Sequence, residues 1–229
     1  MKEITIFTDG SSLGNPGPGG WAVIIYNKAT KTVIELGGFN PKTTNNRMEM
    51  TAALEAISSF VEENIIETAI TINTDSQYLI NGMTKWVFGW ENSGWLTQNK
   101  KTVLNKDLWQ LLVAKANNLE IEWKYVEGHS GIAGNERVDQ IATGFSSGNN
   151  PVLYKGSIDD YKIDLENTVA IYGKQKSGKV YSYLSMVDGE IKSHKTWKEC
   201  EDRVKGKKAR FKKTFSKTDE ENIIKSWLS

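Results

Sequence analysis

Ile4-Thr5-Ile6-Phe7-Thr8-Asp9-Gly10-Ser11 (residues 4–11) and Ile70-Thr71-Ile72-Asn73-Thr74-Asp75-Ser76-Gln77 (residues 70–77) are built alike. Each is a β-rich run that alternates apolar and polar positions and then breaks at an aspartate followed by small or polar residues. That alternation is the pattern of a half-buried strand. In open α/β sheets, sites lie beyond the carboxyl ends of parallel strands. Two such strands, adjacent and parallel, would bring Asp9 and Asp75 to one place. Taken singly, each aspartate serves equally well as a turn residue or helix cap.

Outward from these two strands the chain alternates strands and helices. Glycines and prolines fill 10–20, Trp21–Tyr26 reads as a second strand and Lys31–Gly37 as a third, which suggests an antiparallel meander. Residues 46–61 have helical spacing, with Met50, Leu54, Ile57 and Val61 on one stripe. Residues 76–89 look helical and lead into a Trp-rich stretch. Residues 107–117 predict a helix, 121–126 a strand and 136–143 a short final helix. The expected class is α/β: a mixed five-stranded sheet flanked by helices over residues 1–145. Residues 146–167 open with Ser-Ser-Gly-Asn-Asn-Pro, lack clean periodicity and read as a linker. Residues 168–229 form a small α+β unit in this reading. Its β-like runs are 169–172, 180–186 and 210–215. One helix starts near Thr196-Trp197-Lys198-Glu199. Another opens at the capping-box match Thr218-Asp219-Glu220-Glu221.

Composition bounds the function classes. The 229 residues are 38% hydrophobic and 25% charged, which excludes a disordered or collagen-like chain. The longest apolar run, Trp21–Tyr26, is far short of the roughly 20 residues of a membrane-spanning helix. No signal peptide is evident, and the single cysteine, Cys200, offers neither an internal disulfide nor a thiolate metal cage. A cytoplasmic protein with no membrane partner is expected. The net charge of +1 hides an asymmetry. Up to Phe145 there are 12 basic and 16 acidic residues; from Ser146 on there are 17 and 12. Seven of the eleven residues from Arg203 to Lys213 are basic, which points to two units with different tasks.

Two further carboxylates stand out. Glu49 lies in the first turn of its helix, with Ala52, Ala53 and Ala56 beside it in helical projection, and Asp139 follows Asn135-Glu136-Arg137-Val138. Either is also explained by the preference of acidic groups for a helix N-terminus. Four converging carboxylates would raise each other's pKa, a cost that a hard cation such as Mg²⁺ or Mn²⁺ removes.

The motifs, taken together, resemble those of a known family. Thr8-Asp9-Gly10-Ser11, Gly14-Asn15-Pro16-Gly17-Pro18-Gly19-Gly20, Thr43-Thr44-Asn45-Asn46-Arg47-Met48-Glu49, Thr74-Asp75-Ser76-Gln77-Tyr78, and Gly128-His129 with Asn135–Asp139 stand in order. Over residues 1 to about 145 the chain is similar to type 1 ribonuclease H. The resemblance implies the ribonuclease H fold and endonucleolytic hydrolysis of the RNA strand of RNA–DNA hybrids. It implies two Mg²⁺ ions, with Mn²⁺ as a substitute, on Asp9, Glu49, Asp75 and Asp139. Ends of 5′-phosphate and 3′-hydroxyl type follow, as in a two-metal in-line displacement. His129 is by resemblance the mobile histidine that assists proton transfer or product release. The family's contacts to the 2′-hydroxyl, sugars and base edges map to Gly10, Ser11, Ser12, Asn15, Asn45, Asn46, Glu49 and Gln77. A monomer is expected.

One region departs from the family. In many bacterial relatives the segment around Trp86, Trp90 and Trp95 is a basic handle on the DNA strand. Here Glu91-Asn92-Ser93 stands between the tryptophans, and only Lys85, Lys100 and Lys101 remain. The basic tail carries a second resemblance: Tyr183, Thr196–Cys200 and Ala209-Arg210-Phe211-Lys212-Lys213 look like the small hybrid-binding, viroplasmin-like domain. This implies substrate contacts at Tyr183, Trp197, Lys212 and Lys213, by phosphate neutralisation and aromatic stacking. The rival role for this unit is protein-partner or general nucleic-acid binding. Rival roles for the whole chain are a hybrid-holding module that does not cut, or a DNA nuclease on the same fold.

Overall fold

The computed structural model describes residues 2–61, 68–117, 119–167, 181–207, 209–214 and 217–228. The chain divides into two compact units, Met1–Ile171 and Tyr172–Ser229.

The first unit begins with the expected meander: β1 (Lys2–Ser12), β2 (Gly17–Asn27) and β3 (Thr32–Thr43), each antiparallel to the next. The chain then crosses by α1 (Asn45–Val61) to β4 (Thr68–Thr74), which lies parallel to β1 with Phe7 opposite Asn73. The helical region after β4 is broken into α2 (Gln77–Asn81), a π-helical turn (Gly82–Trp86) and α3 (Val87–Asn92). The widened turn lies where Gly82 meets Trp109: a Cβ on Gly82 would fall inside that indole ring. α4 (Lys106–Ala116) leads to β5 (Ile121–Tyr125), parallel to β4, and α5 spans Ala133–Ser146, longer at both ends than the 136–143 expected.

The sheet has six strands, in the order β5-β4-β1-β2-β3-β6, where five were expected. The sixth, β6 (Lys155–Ser157), comes from the segment read as a linker and pairs antiparallel with β3. That segment is therefore packed: Leu165 is fully buried against the sheet, and Leu153, Tyr154, Ile158, Tyr161 and Ile163 pack around it. Its polarity misled because polar side chains there serve turns and caps: Ser157 caps the 3₁₀ turn Ile158–Asp160, and Asp164 accepts from the Glu166 and Asn167 N–H groups.

Strand alternation explains the two cores. Ile4, Ile6, Val23, Ile25, Ile70 and Ile72 face α1, α2 and α4, where Met50, Ala53, Ile57, Leu79, Trp109 and Leu112 cover them. Phe7, Ala22, Ile24, Tyr26 and Val33 face the other way, under Val138, Ile141 and Ala142 of α5. Both faces of the sheet are thus covered, and its strand ends carry the site.

The second unit holds a three-stranded antiparallel sheet, β8-β7-β9, from β7 (Ser182–Val187), β8 (Glu190–His194) and β9 (Ala209–Thr214). α6 (Trp197–Val204) starts at a complete Thr196–Glu199 capping box. α7 (Lys217–Leu228) begins one residue before Thr218. The expected run at 169–172, the start of the run at 180 and Phe215 lie outside the described residues, as do the side chains of Thr218 and Asp219. No helix among the described residues is long and apolar enough to cross a membrane.

Candidate active site

Since Phe7 pairs with Asn73 on parallel neighbours, Asp9 and Asp75 lie two residues further along at the same level, Asp75 just past the end of β4 and Asp9 still within β1, which continues to Ser12 instead of breaking at the aspartate. Glu49 arrives from α1, just past the first turn in which it was expected because the helix starts at Asn45, and the backbone at Met48–Glu49 rests directly on β1. A Cβ on Gly10 would collide with the Met48 carbonyl carbon and the Glu49 backbone nitrogen, so only glycine permits this approach. Arg47 fixes that first turn to α4 through a two-pronged pairing with Asp107 at 3.0 and 2.7 Å. The Ser76 hydroxyl donates to Glu49 Oε2, and Asn45 Nδ2 donates to Oε1 at 2.8 Å. Ser76 also caps α2 by accepting from the Leu79 N–H at 3.1 Å, so one hydroxyl serves helix and site. Asp139 reaches the cluster from α5.

Charge interactions link Asp9 to each of Asp75, Asp139 and Glu49. Burial, together with Asp75, Asp139 and Glu49, pushes the Asp9 carboxyl up to about 8, against the help of the Gly10 N–H. Burial and then Asp75 raise Glu49, opposed by hydrogen bonds from Ser76 and Asn45. Burial raises Asp75, opposed by the Asn135 amide and by His129. Among the described residues no three acidic, histidine or cysteine side chains already close around one point as a ligand cage. The set nevertheless suits a hard divalent cation: all donors are carboxylate oxygens, and their mutual repulsion is what a cation would relieve. Asn135 Oδ1, buried and without a hydrogen-bond partner among the described residues, lies on the residue that bonds Asp75.

His129 stands exposed on the loop after β5 with φ of 55°, a left-handed backbone uncommon outside glycine. Gly128 lets this loop pass close to Asp75, since a Cβ there would lie 2.7 Å from Asp75 Oδ2. The expected substrate contacts ring this edge. Ser12 Oγ bonds the Gly14 carbonyl at 2.7 Å, and Ser11 Oγ meets Ser146 Oγ at 3.3 Å. Asn15, Asn45 and Gln77 are exposed and Asn46 is half-buried. Ser76 and Asn135 were not singled out from the sequence. The Thr-Asp-Ser step into a helix was the available signal for Ser76, and Asn135 heads the Asn135–Asp139 motif without having been given a role of its own.

The tryptophans of the handle region form an aromatic ladder. Trp86 contacts Trp90 at 5.6 Å and Trp90 contacts Trp109 at 5.7 Å, with Tyr78 against both ends. Trp109 and Trp95 are buried, so the ladder is anchored in the core and only Trp86 is exposed. Lys100 and Lys101 are exposed on the loop that follows.

In the second unit, Trp197 lies between Tyr183 (5.7 Å) and Phe211 (5.5 Å). Phe211, half exposed, is a member of this cluster that the sequence reading did not single out as a contact. Strand register separates the two lysines. Tyr183 is opposite Lys213, so Lys213 shares the aromatic face, whereas Lys212 is opposite Leu184 and belongs to the other.

Comparison with known proteins bears on the first unit. A family model described as RNase H matches residues 1–146. A ribonuclease H of Erythrobacter litoralis is 46% identical over 143 residues, 62% of this chain and 95% of that protein. Ribonuclease HI of Haemophilus ducreyi is 50% identical over 154 residues, 67% of this chain and 95% of that protein. Among solved structures, LC9-RNase H1, described as a type 1 RNase H with the type 2 active-site motif, superposes with a TM-score of 0.61 at 28% identity. That match covers 70% of this chain and 81% of that one.

Proposed function

This chain belongs to the RNase H family, the metal-dependent endoribonucleases that cleave the RNA strand of RNA–DNA hybrids, and from that premise we propose how its residues divide the work. Asp9, Glu49, Asp75 and Asp139 hold two divalent ions, Mg²⁺ or Mn²⁺. The observation that supports this is that buried Asp9, on β1, feels the charges of Asp75, Asp139 and Glu49 together. Bound ions would supply an activated water and neutralise the departing 3′ oxygen, which leaves 5′-phosphate and 3′-hydroxyl ends.

The protein's own groups position the reactants. Ser76 and Asn45 hold Glu49, Asn135 orients Asp75, and Gly128 lets the His129 loop close over them. His129, exposed at the loop tip, exchanges protons near the scissile phosphate and speeds product release. Backbone groups of Gly10, Ser11 and Ser12, with Glu49 and Gln77, read the 2′-hydroxyl; Asn15, Asn45 and Asn46 line the minor groove of the hybrid. Trp86 and Trp90, with Lys100 and Lys101, guide the DNA strand, although Glu91 weakens the phosphate grip there. A monomer suffices, since one chain supplies all four carboxylates.

For the second unit the proposed role is binding the hybrid outside the catalytic domain. The Tyr183–Trp197–Phe211 cluster beside Lys213 supports it, because stacked rings next to a cation suit sugars and phosphates. A labelled hybrid, a duplex RNA and a duplex DNA, each incubated with Mg²⁺ and with EDTA, test the reading. Cleavage confined to the RNA of the hybrid and abolished by EDTA is expected. Cutting of duplex DNA, or binding of hybrid with no cleavage, would select one of the rival roles.

A further inference from the structure

Glu35 lies on β3, and its side chain is wholly shielded from solvent. It accepts hydrogen bonds from Arg137 Nε at 2.7 Å and Nη2 at 2.8 Å, from the Tyr161 hydroxyl at 2.6 Å, and from the Tyr154 N–H at 2.9 Å. Arg137 Nη2 also donates to the Val152 carbonyl at 3.1 Å. The Glu35 N–H donates to the Tyr154 carbonyl at 2.8 Å, and β6 continues the pairing along β3. The chain therefore turns back after α5 and closes over the Glu35–Arg137 pair.

A buried ion pair adds little stability over apolar residues of the same shape, because desolvation offsets the attraction. What a two-pronged guanidinium–carboxylate contact adds is direction. The apolar face of α5 (Val138, Ile141, Ala142) rests on the sheet through contacts that have no such direction. Arg137 and Asp139 are two residues apart, about 200° around the helix axis. Holding Arg137 on the β3 side therefore fixes the rotation at which Asp139 is presented on the opposite side of the helix. We propose that Glu35, Arg137 and Tyr161 are positioning residues that set the rotation of α5 and, with it, where Asp139 meets Asp9 and Asp75. This rests on Asp139 being a metal-holding carboxylate.

The test uses the full chain with Arg137→Lys, which keeps the charge and loses the fork, Tyr161→Phe, which removes only the hydroxyl that bonds Glu35, and Asp139→Asn as reference. Four quantities are read: melting temperature, kcat and KM on a hybrid well below every melting point, and Mn²⁺ affinity by calorimetry without substrate. Arg137→Lys should lower kcat by about tenfold, within what a misplacement of ~1 Å can cost. KM should stay within about twofold and Mn²⁺ affinity should fall severalfold. Tyr161→Phe should show the same pattern at smaller size, and it decides the matter alone if Arg137→Lys does not fold. Folded variants with unchanged kcat and Mn²⁺ affinity, whatever their melting points, overturn the proposal. If Asp139→Asn itself keeps cleavage and Mn²⁺ binding, the metal-site reading fails instead.

Discussion

Asp9 is held where burial and three like charges act in one direction, and this has a consequence for stability as well as for cleavage. Its carboxyl is raised from an ordinary 3.8 to about 8. The folded chain therefore holds more protons than the unfolded one across that window. Without divalent ions its stability is greatest below the unfolded value and is lost as pH rises through the folded one. Asp9→Asn removes the titration. In EDTA at about pH 8 the variant should melt several degrees above the parent, given that ~1 kcal/mol moves a domain of this size by ~2–4 °C. The gap should close towards about pH 5. The same variant should lower kcat by at least about 10²–10³-fold, the range for losing one preorganised electrostatic contact. A melting point at or below the parent's at the higher pH would contradict the crowding of charge. His129 belongs to a different class of effect. His129→Ala should lower kcat by ~10–100-fold, at or below the lower end of the ~10²–10⁴ of a full general acid or base, and leave the Kd for hybrid unchanged. A loss as deep as that of Asp9→Asn would make His129 a primary catalyst. The aspartates were legible because each follows the same alternating β-rich run, although β1 continues past Asp9 to Ser12. The role of Asn135 was not legible, since it depends on α5 approaching β4, which no local pattern records.

At the scale of elements, the site exists because backbones approach unusually closely. Gly10 lets α1 rest on β1, and the absent Cβ decides where Glu49 lands. Gly10→Ala would press on backbone atoms of Met48 and Glu49, which cannot yield without moving the helix. The expected cost is about 1–3 kcal/mol, as for overpacking elsewhere. A fall in kcat should persist at temperatures where the variant is fully folded. Thermal melts paired with kinetics check this; a folded Gly10→Ala enzyme with parental kcat would show that Glu49 tolerates a shifted helix. Long periodic elements such as α1 and the meander were readable from sequence. The π-helical turn was not, because Gly82 looks like any helix glycine until Trp109 packs against it. β6 was not readable either: Lys155-Gly156-Ser157 has no alternation and no β-branched residue. Glu35 did leave a trace, since it shares a strand face with buried Val33, and a charge on an inward face requires a partner.

For the whole molecule, the composition boundary near Phe145 and the structural one differ, and two truncations separate their consequences. Ending the chain after Asn167 removes residues 168–229, which hold 15 basic and 8 acidic residues, net +7, and keeps β6, Tyr154, Tyr161 and Leu165. This form should fold and keep kcat. Its KM for long hybrids should rise, because phosphate contacts are lost from a chain whose remaining handle carries Glu91. Each lost duplex phosphate contact should reduce the slope of log affinity against log salt by about 0.9, so binding becomes less salt-dependent. Ending after Phe145 removes the same basic unit and also uncovers the face under Leu165. The buried leucine alone accounts for about 1.5–3 kcal/mol. Glu35 would lose Tyr154 and Tyr161 while keeping a buried charge. The shorter form should melt at least ~10 °C lower than the longer one, from a loss of several kcal/mol at ~2–4 °C each. Its kcat should fall even where it is folded, because α5 is held less firmly. Circular dichroism melts and kinetics on both forms decide. Equal melting points would mean that residues 146–167 are a tether after all. An unchanged KM and salt slope in the longer form would mean that the second unit does not bind substrate, and a protein partner would become its better assignment.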